Sequence, residues 1–198
     1  PYYFLYTVTD YPRLIEPRAE PISKKIDVFR KLSGRTGPGG TVWRYDPILV
    51  TKQEGFSRHL ETFSRISEAL TGYTDTVIIS FYDRYKKAEQ RLAAAGVFPV
   101  SPDRPDFRGS ALEFLKALRK TAESRGMRIQ SCAESFDTEA AGVPRGSCID
   151  GKRIAEQFGI TLPAVKDRGQ RKRCRCIESR DIGTYGSCPA GCLYCYAS

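Results

Sequence analysis

Apolar residues recur along this chain with two periods that take turns. Tyr2–Thr9 (YYFLYTVT) is β-branched and aromatic, the composition of a strand. Ile22, Ile26, Phe29 and Leu32 then follow at three- and four-residue spacing, which predicts a helix over Ile22–Leu32. Gly34–Gly40 (GRTGPGG) reads as a turn and Thr41–Tyr45 as a second strand. Phe56, Leu60, Phe63, Ile66 and Leu70 mark the next helical stripe. Asp75–Phe81 (DTVIISF) is a short, nearly continuous apolar run, the pattern of a strand buried on both faces. Helices are expected over about Arg84–Ala95 and Ser110–Arg125, separated by the proline-rich loop Pro99–Pro105. Met127–Cys132 is a fourth strand, a short helix follows near Ile149–Phe158, and the rest reads as cysteine-bearing loop.

This alternation predicts an α/β fold with parallel strands. Four clear strands are too few for a closed eight-stranded barrel and suit a partial (β/α) barrel. A doubly wound open sheet satisfies the same alternation, but no Gly-x-Gly-x-x-Gly follows Thr9, Asp46 or Asp83. The division expected is a partial β/α barrel over 1–145 and a cysteine-rich cluster-binding region over 146–198 packed on the same domain. In parallel α/β folds, functional groups collect beyond the carboxyl ends of the strands. Those ends carry Thr9 and Asp10, Arg44 and Asp46, Ser80 and Asp83, and Cys132 and Glu134. The set can bind cofactor or substrate. It can also be structural, with Arg44 paired to Asp46 or Asp83, and Asp10 and Asp83 capping the helices that follow.

At 198 residues and 40% hydrophobic, the chain can bury one ordinary core. It opens on Pro1 and stops three residues after Cys195, which reads as a piece of a longer protein. No apolar run approaches a membrane span and no secretory signal opens the sequence, so no membrane partner is expected. Seven cysteines in that setting suit metal binding in the reducing cytoplasm better than disulfides. The lone histidine, His59, lies in a helical pattern and is expected at the surface or in packing. It rules out an H-E-x-x-H site and a Cys2His2 finger, and no nucleophile elbow supports a serine triad. Net charge is +9, and residues 166–180 hold seven basic residues against Asp167 and Glu178. That run can be a nucleic-acid patch or counter-charge for anionic thiolate–metal centres.

The chain ends in Cys188-Pro-Ala-Gly-Cys192-Leu-Tyr-Cys195-Tyr-Ala-Ser. Three thiols at this spacing in a Pro/Gly loop can turn onto one soft metal centre and leave a coordination position open; a structural zinc knuckle is the simpler alternative. Setting these three aside leaves Cys132, Cys148, Cys174 and Cys176, each at a strand end or in loop sequence. Four thiols are enough for a second, fully protein-ligated centre: an auxiliary four-iron four-sulfur cluster, or zinc. The plainer reading makes Cys132 and Cys148 small core residues.

The stretch GTYGSCPAGCLYCYA resembles the cluster loop of radical S-adenosylmethionine enzymes, especially the spore photoproduct lyase-like branch. That resemblance implies a four-iron four-sulfur cluster on Cys188, Cys192 and Cys195, with S-adenosylmethionine chelating the open iron and Tyr194 beside its adenine. Across nearly its whole length the chain resembles an uncharacterised bacterial family, the domain of unknown function numbered eighteen forty-eight. TVWRYDPILV (41–50), GYTDTVIISFYDRYKK (72–87), QSCAE (130–134), GSCIDG (146–151) and KDRGQRKRCRCIESRDIGTYGSCPAGCLYCYA (166–197) carry the likeness. Its members look longer at the amino end, with a segment that includes an Arg-Arg-Thr-Asp stretch. The resemblance suggests a circularly permuted radical S-adenosylmethionine barrel, whose cluster strand, about Asp181–Gly186, and loop come last in sequence. The glycine-rich cofactor segment of the ordinary superfamily is missing. The function this implies is hydrogen abstraction from a substrate, fed by an electron donor such as a flavodoxin or ferredoxin, with Arg44, Asp46, Ser80, Asp83 and Glu134 binding cofactor or substrate. The alternative is a zinc- or iron–sulfur-stabilised module presenting Arg168, Arg171, Lys172, Arg173 and Arg175 to nucleic acid without catalysis.

Overall fold

The computed structural model describes residues 1–197; Ser198, at the end of the cysteine-rich region, lies outside them. Among the described residues four parallel strands form one sheet: β1 (Phe4–Thr7), β2 (Thr41–Ile48), β3 (Thr76–Phe81) and β4 (Arg128–Ser131), side by side in chain order. Helices α1 (Ile22–Thr36) and α2 (Ser57–Ala69) supply the first two crossovers, while α3 (Lys86–Ala94) and α4 (Pro105–Ser124) together supply the third. A last helix, α5 (Gly151–Phe158), precedes the cysteine-rich loops. The strand order never reverses, so this open parallel sheet has no topological switch point of the dinucleotide-binding kind.

Register sorts the side chains onto two faces. Trp43 lies opposite Val77, which lies opposite Ile129, so Trp43, Tyr45, Val77, Ile79, Phe81 and Ile129 share one face. Phe29 of α1, Phe63 and Ile66 of α2, and Phe114, Leu115 and Leu118 of α4 pack on that face as the main core. Trp43 anchors it: its indole stacks on Phe63 at 4.7 Å and donates to the Val8 carbonyl at 3.0 Å. The opposite face carries a much smaller apolar cluster of Val42, Ile78 and Cys132, with Tyr3, Leu5 and Cys148 beside it. Register slips between Tyr45 and Ile48, where Pro47 has no N–H to give the ladder.

The expected strands and helices form with modest shifts at their ends. Helix α1 runs through Gly34 to Thr36, so the turn begins at Gly37, whose φ of 77° suits a residue without a Cβ. One expectation fails outright: Asp181–Gly186 forms no strand. Its one large aliphatic side chain, Ile182, is 94% exposed, so no apolar face exists to be buried against the sheet. Nor do Asp10 and Asp83 cap helices: α1 and α3 begin after Pro21 and Tyr85 without side-chain caps. Asp10 pairs with Arg65 and Asp83 with Arg171 instead.

His59 is a packing residue of α2 and is buried. Its Nε2 faces the Leu49 carbonyl at 3.0 Å, so Nε2 donates, and Nδ1 then accepts from the Tyr45 hydroxyl at 2.9 Å. Burial holds this imidazole below its usual 6.5. On acidification the unfolded chain takes up a proton here that the folded one refuses, so stability is expected to fall as pH drops through 6.5. Urea titrations of wild type and His59→Leu across that range should show a smaller slope in the variant. Equal slopes would remove His59 from the pH response.

Candidate metal-binding region

The cysteine-rich region lies against the sheet at two places. The first is the terminal loop. Leu193 N–H donates to the Ile15 carbonyl at 2.9 Å and Arg18 N–H to the Ala190 carbonyl at 3.2 Å. Leu193 and Tyr194 pack beside Ile15, Leu49, Leu92 and Val97, which come from the segment after β1, the end of β2, and α3 with the residues after it. Arg91 of α3 donates to the carbonyls of Leu193 and Cys195. Gly191 is at φ 64°, a backbone conformation that favours glycine, and it lies close under the Arg18 guanidinium. Residues 190–195 are thus held at the carboxyl end of the sheet.

Glu16 is the main anchor. This carboxylate is 3% exposed and accepts from Thr9 Oγ1 at 2.8 Å, Tyr194 Oη at 2.6 Å and Lys25 Nζ at 2.7 Å. Burial raises the Tyr194 phenol, with the Glu16 charge adding to it, so Tyr194 remains the donor. Its ring lies 5.6 Å from Tyr11. Cys188 is exposed, and Cys192 and Cys195 are half-buried. Burial pushes the Cys192 thiol up, and its neighbours Cys195 and Cys188 push the same way.

The second place is the sheet face opposite the helices. Beyond the loop that follows β4 the chain returns alongside that strand: Ser131 N–H donates to Pro144 O at 2.9 Å and Gly146 N–H to Ser131 O at 2.8 Å. A Cβ on Gly146 would lie 2.2 Å from the end of the Gln130 side chain, so a larger residue here would have to push that amide aside. This return carries Cys148 onto Cys132, with the Cys148 thiol donating across 3.4 Å. That bond lowers Cys132 and raises Cys148 to about 11. Residues 166–177 then fold back, with Ile177 N–H on Ile149 O at 3.1 Å. Asp167 pins this loop by accepting from Gly169 N–H at 2.8 Å and Ser179 Oγ at 2.8 Å. Cys176 Sγ accepts from Ile149 N–H at 3.3 Å and Cys174 Sγ from Cys176 N–H at 3.4 Å, which brings the last two thiols alongside the first two. Among the described residues no three Cys, His, Asp or Glu side chains are placed so that they could hold a metal ion as they stand.

The strand-end residues fall into two groups. Arg44 pairs with Asp46, on the same sheet face as the thiols, and its charge reaches Cys132 and Cys148. Ser80 Oγ donates to the Cys132 carbonyl at 3.4 Å. Asp83 and Glu134 line a cleft of about 340 Å³ between the ends of β3 and β4, together with Tyr82, Ser135 and Arg171. Glu134 is buried and pushed up to about 7 by that burial, although it accepts from Phe81 N–H at 2.9 Å. A carboxyl in that range can carry or release a proton at neutral pH. Of the basic run, Arg171 pairs with Asp83, Arg173 donates to Glu134 O and Arg175 to Arg145 O, so these guanidinium groups serve the protein itself. Sequence reasoning missed Glu16, Tyr11, Arg18, Arg91 and Asp167. Each is a polar residue in a loop or on a helix that no local rule singles out as a contact-maker, and only chain return gives it a role.

Fold and site together define a parallel α/β protein whose cysteine-rich segment lies on its sheet at the carboxyl end and on the face away from the helices. The chain belongs to the family described as a domain of unknown function (DUF1848), whose model matches residues 1–197. No curated protein and no solved structure matches the chain. No helix among the described residues is long and apolar enough to cross a membrane.

Proposed function

We propose that this protein is an iron–sulfur enzyme of the radical S-adenosylmethionine type, with its cluster on Cys188, Cys192 and Cys195. The observation that carries this reading is the docking of the terminal loop: the last segment of the sequence is brought back to the carboxyl end of the parallel sheet, where such chemistry belongs. The donor set fits by chemistry, because three thiols within one loop can each take an iron and leave the fourth iron of a cubane open to a small molecule. When bound, a cluster of this kind supplies the electron that cleaves the sulfonium of S-adenosylmethionine. The rest falls to the chain. Glu16 and Arg91 hold the loop in position through Tyr194 and the carbonyls of Leu193 and Cys195. The cleft between Asp83 and Glu134 is the proposed substrate site, with Glu134 able to hold or release a proton. On this reading the sheet is half of a (β/α) barrel in permuted order, and Arg44, Asp46 and Ser80 face its interior. A reducing compartment such as the cytoplasm, with a flavodoxin or ferredoxin as donor, suits seven unbridged thiols.

The test is anaerobic reconstitution of the full chain with iron and sulfide, followed by dithionite and S-adenosylmethionine. Formation of 5′-deoxyadenosine is expected, and its loss in Cys192→Ala. Full iron loading with no cleavage under any reductant would overturn the proposal.

A further inference from the structure

We propose that Cys132, Cys148, Cys174 and Cys176 form a second, closed centre that holds a single zinc ion and staples the cysteine-rich segment to the sheet. Two independent observations point to it. The first is the thiol spacing. A zinc ion with Zn–S of about 2.3 Å in tetrahedral geometry sets its sulfurs about 3.8 Å apart. Cys132 and Cys148 are 3.4 Å apart, and Cys176 Sγ lies against the N–H of Ile149, next to Cys148, with Cys174 Sγ against the N–H of Cys176. The cysteines of a cubane cluster sit on different iron atoms, well outside sulfur–sulfur contact, so this packing suits one ion and not a cluster. As they stand the thiols do not form a cage; closing one needs the sulfurs of Cys132 and Cys174 to approach one another.

Backbone donors already face these sulfurs. Ile149 N–H points to Cys176 Sγ at 3.3 Å and Cys176 N–H to Cys174 Sγ at 3.4 Å, the kind of support that orients metal-bound thiolates. Zinc entry would release the four thiol protons to solvent and leave a centre of charge −2. The charge of Arg44 reaches Cys132 and Cys148 and that of Arg171 reaches Cys174 and Cys176, each guanidinium also being held by a carboxylate.

The second observation is what the segment lacks. Between residues 146 and 187, ahead of the terminal loop, the buried residues are Ser147, Asp167, Cys174 and Cys176. Helix α5 buries none of its residues, and Val165 and Ile182 are exposed. A layer of this length with no aliphatic core of its own cannot hold its place by apolar burial, and a structural metal is the usual substitute. Its only cysteines buried as deeply as core residues are Cys176, which lies beside Cys148 and through it Cys132 of the sheet, and Cys174 next to it.

The experiment compares zinc and iron per chain in wild-type protein purified without oxygen and in two variants. One carries Cys188→Ala, Cys192→Ala and Cys195→Ala; the other carries Cys174→Ser and Cys176→Ser. One zinc per chain is expected in the wild type and in the terminal-loop variant, and none in the second. Cobalt exchanged into the terminal-loop variant should show the visible bands of a tetrahedral tetrathiolate ion. Should the second variant fail to fold, thiol alkylation of the terminal-loop variant decides: Cys132, Cys148, Cys174 and Cys176 should resist until a chelator is added. Absence of zinc from the terminal-loop variant, iron–sulfur absorption from it, or ready alkylation of the four thiols would overturn the proposal. Failure of S-adenosylmethionine cleavage would leave each of these readouts standing, so the two proposals fall separately.

Discussion

Glu16→Ala is expected to cost about 3–5 kcal/mol of stability and to free the terminal cysteine loop at the same time. Its partner Lys25 is itself largely buried, at 13% exposed, so removing the carboxylate leaves an ammonium group without its counter-charge. The Thr9 and Tyr194 hydroxyls lose their acceptor in the same step. Urea unfolding reports the first effect. Chymotrypsin reports the second, since Leu193 and Tyr194 are held on the apolar cluster around Ile15 and should become cleavable. Replacing both charges, with Glu16→Gln and Lys25→Met together, should cost clearly less than Glu16→Ala, because no buried charge is then left alone. A Glu16→Ala protein of wild-type stability with a protected loop would show that the carboxylate is not the anchor.

Trp43→Ala should destabilise the fold by about 3–5 kcal/mol, the usual range for emptying a buried aromatic site. The side chain is wholly buried, stacks on Phe63 and meets Tyr45 edge-on at 5.7 Å, so its neighbours have no simple way to close the space. The Val8 carbonyl also loses its indole donor at the end of β1. Trp43→Phe keeps much of the apolar contact and should cost markedly less. Equal losses in the two variants, read by urea unfolding, would place the energy in the hydrogen bond and not in packing.

The helices and strands are legible because each has a face to bury. Phe56, Leu60, Phe63 and Ile66 repeat with the helical period, and α2 indeed packs on the sheet through Phe63 and Ile66. The run at 76–81 is buried along its whole length, as its continuous apolar character implies. Where no such face exists, the expectation fails. A strand over Asp181–Gly186 rests on its place before the cysteine loop and not on an apolar pattern, and none forms. The strand-end carboxylates of Asp10 and Asp83 find arginines distant in sequence, Arg65 and Arg171, which no local rule for helix caps anticipates.

The sequence by itself determined the parallel α/β alternation and which residues carry soft donor atoms, because periodicity and composition are local properties, and its likeness to known segments gave the family. Tertiary structure alone decided which donors meet. Cys132 and Cys148 come into contact because the chain after Pro144 runs back along β4 and Gly146 lets it approach Gln130. Cys174 and Cys176 join them through the loop that Asp167 pins. The terminal loop reaches the carboxyl end of the sheet through Glu16 and Arg91, two charged residues no motif distinguishes. Such contacts depend on where loops return in space, and loop return is set by single backbone and side-chain hydrogen bonds that leave no periodic trace in the sequence.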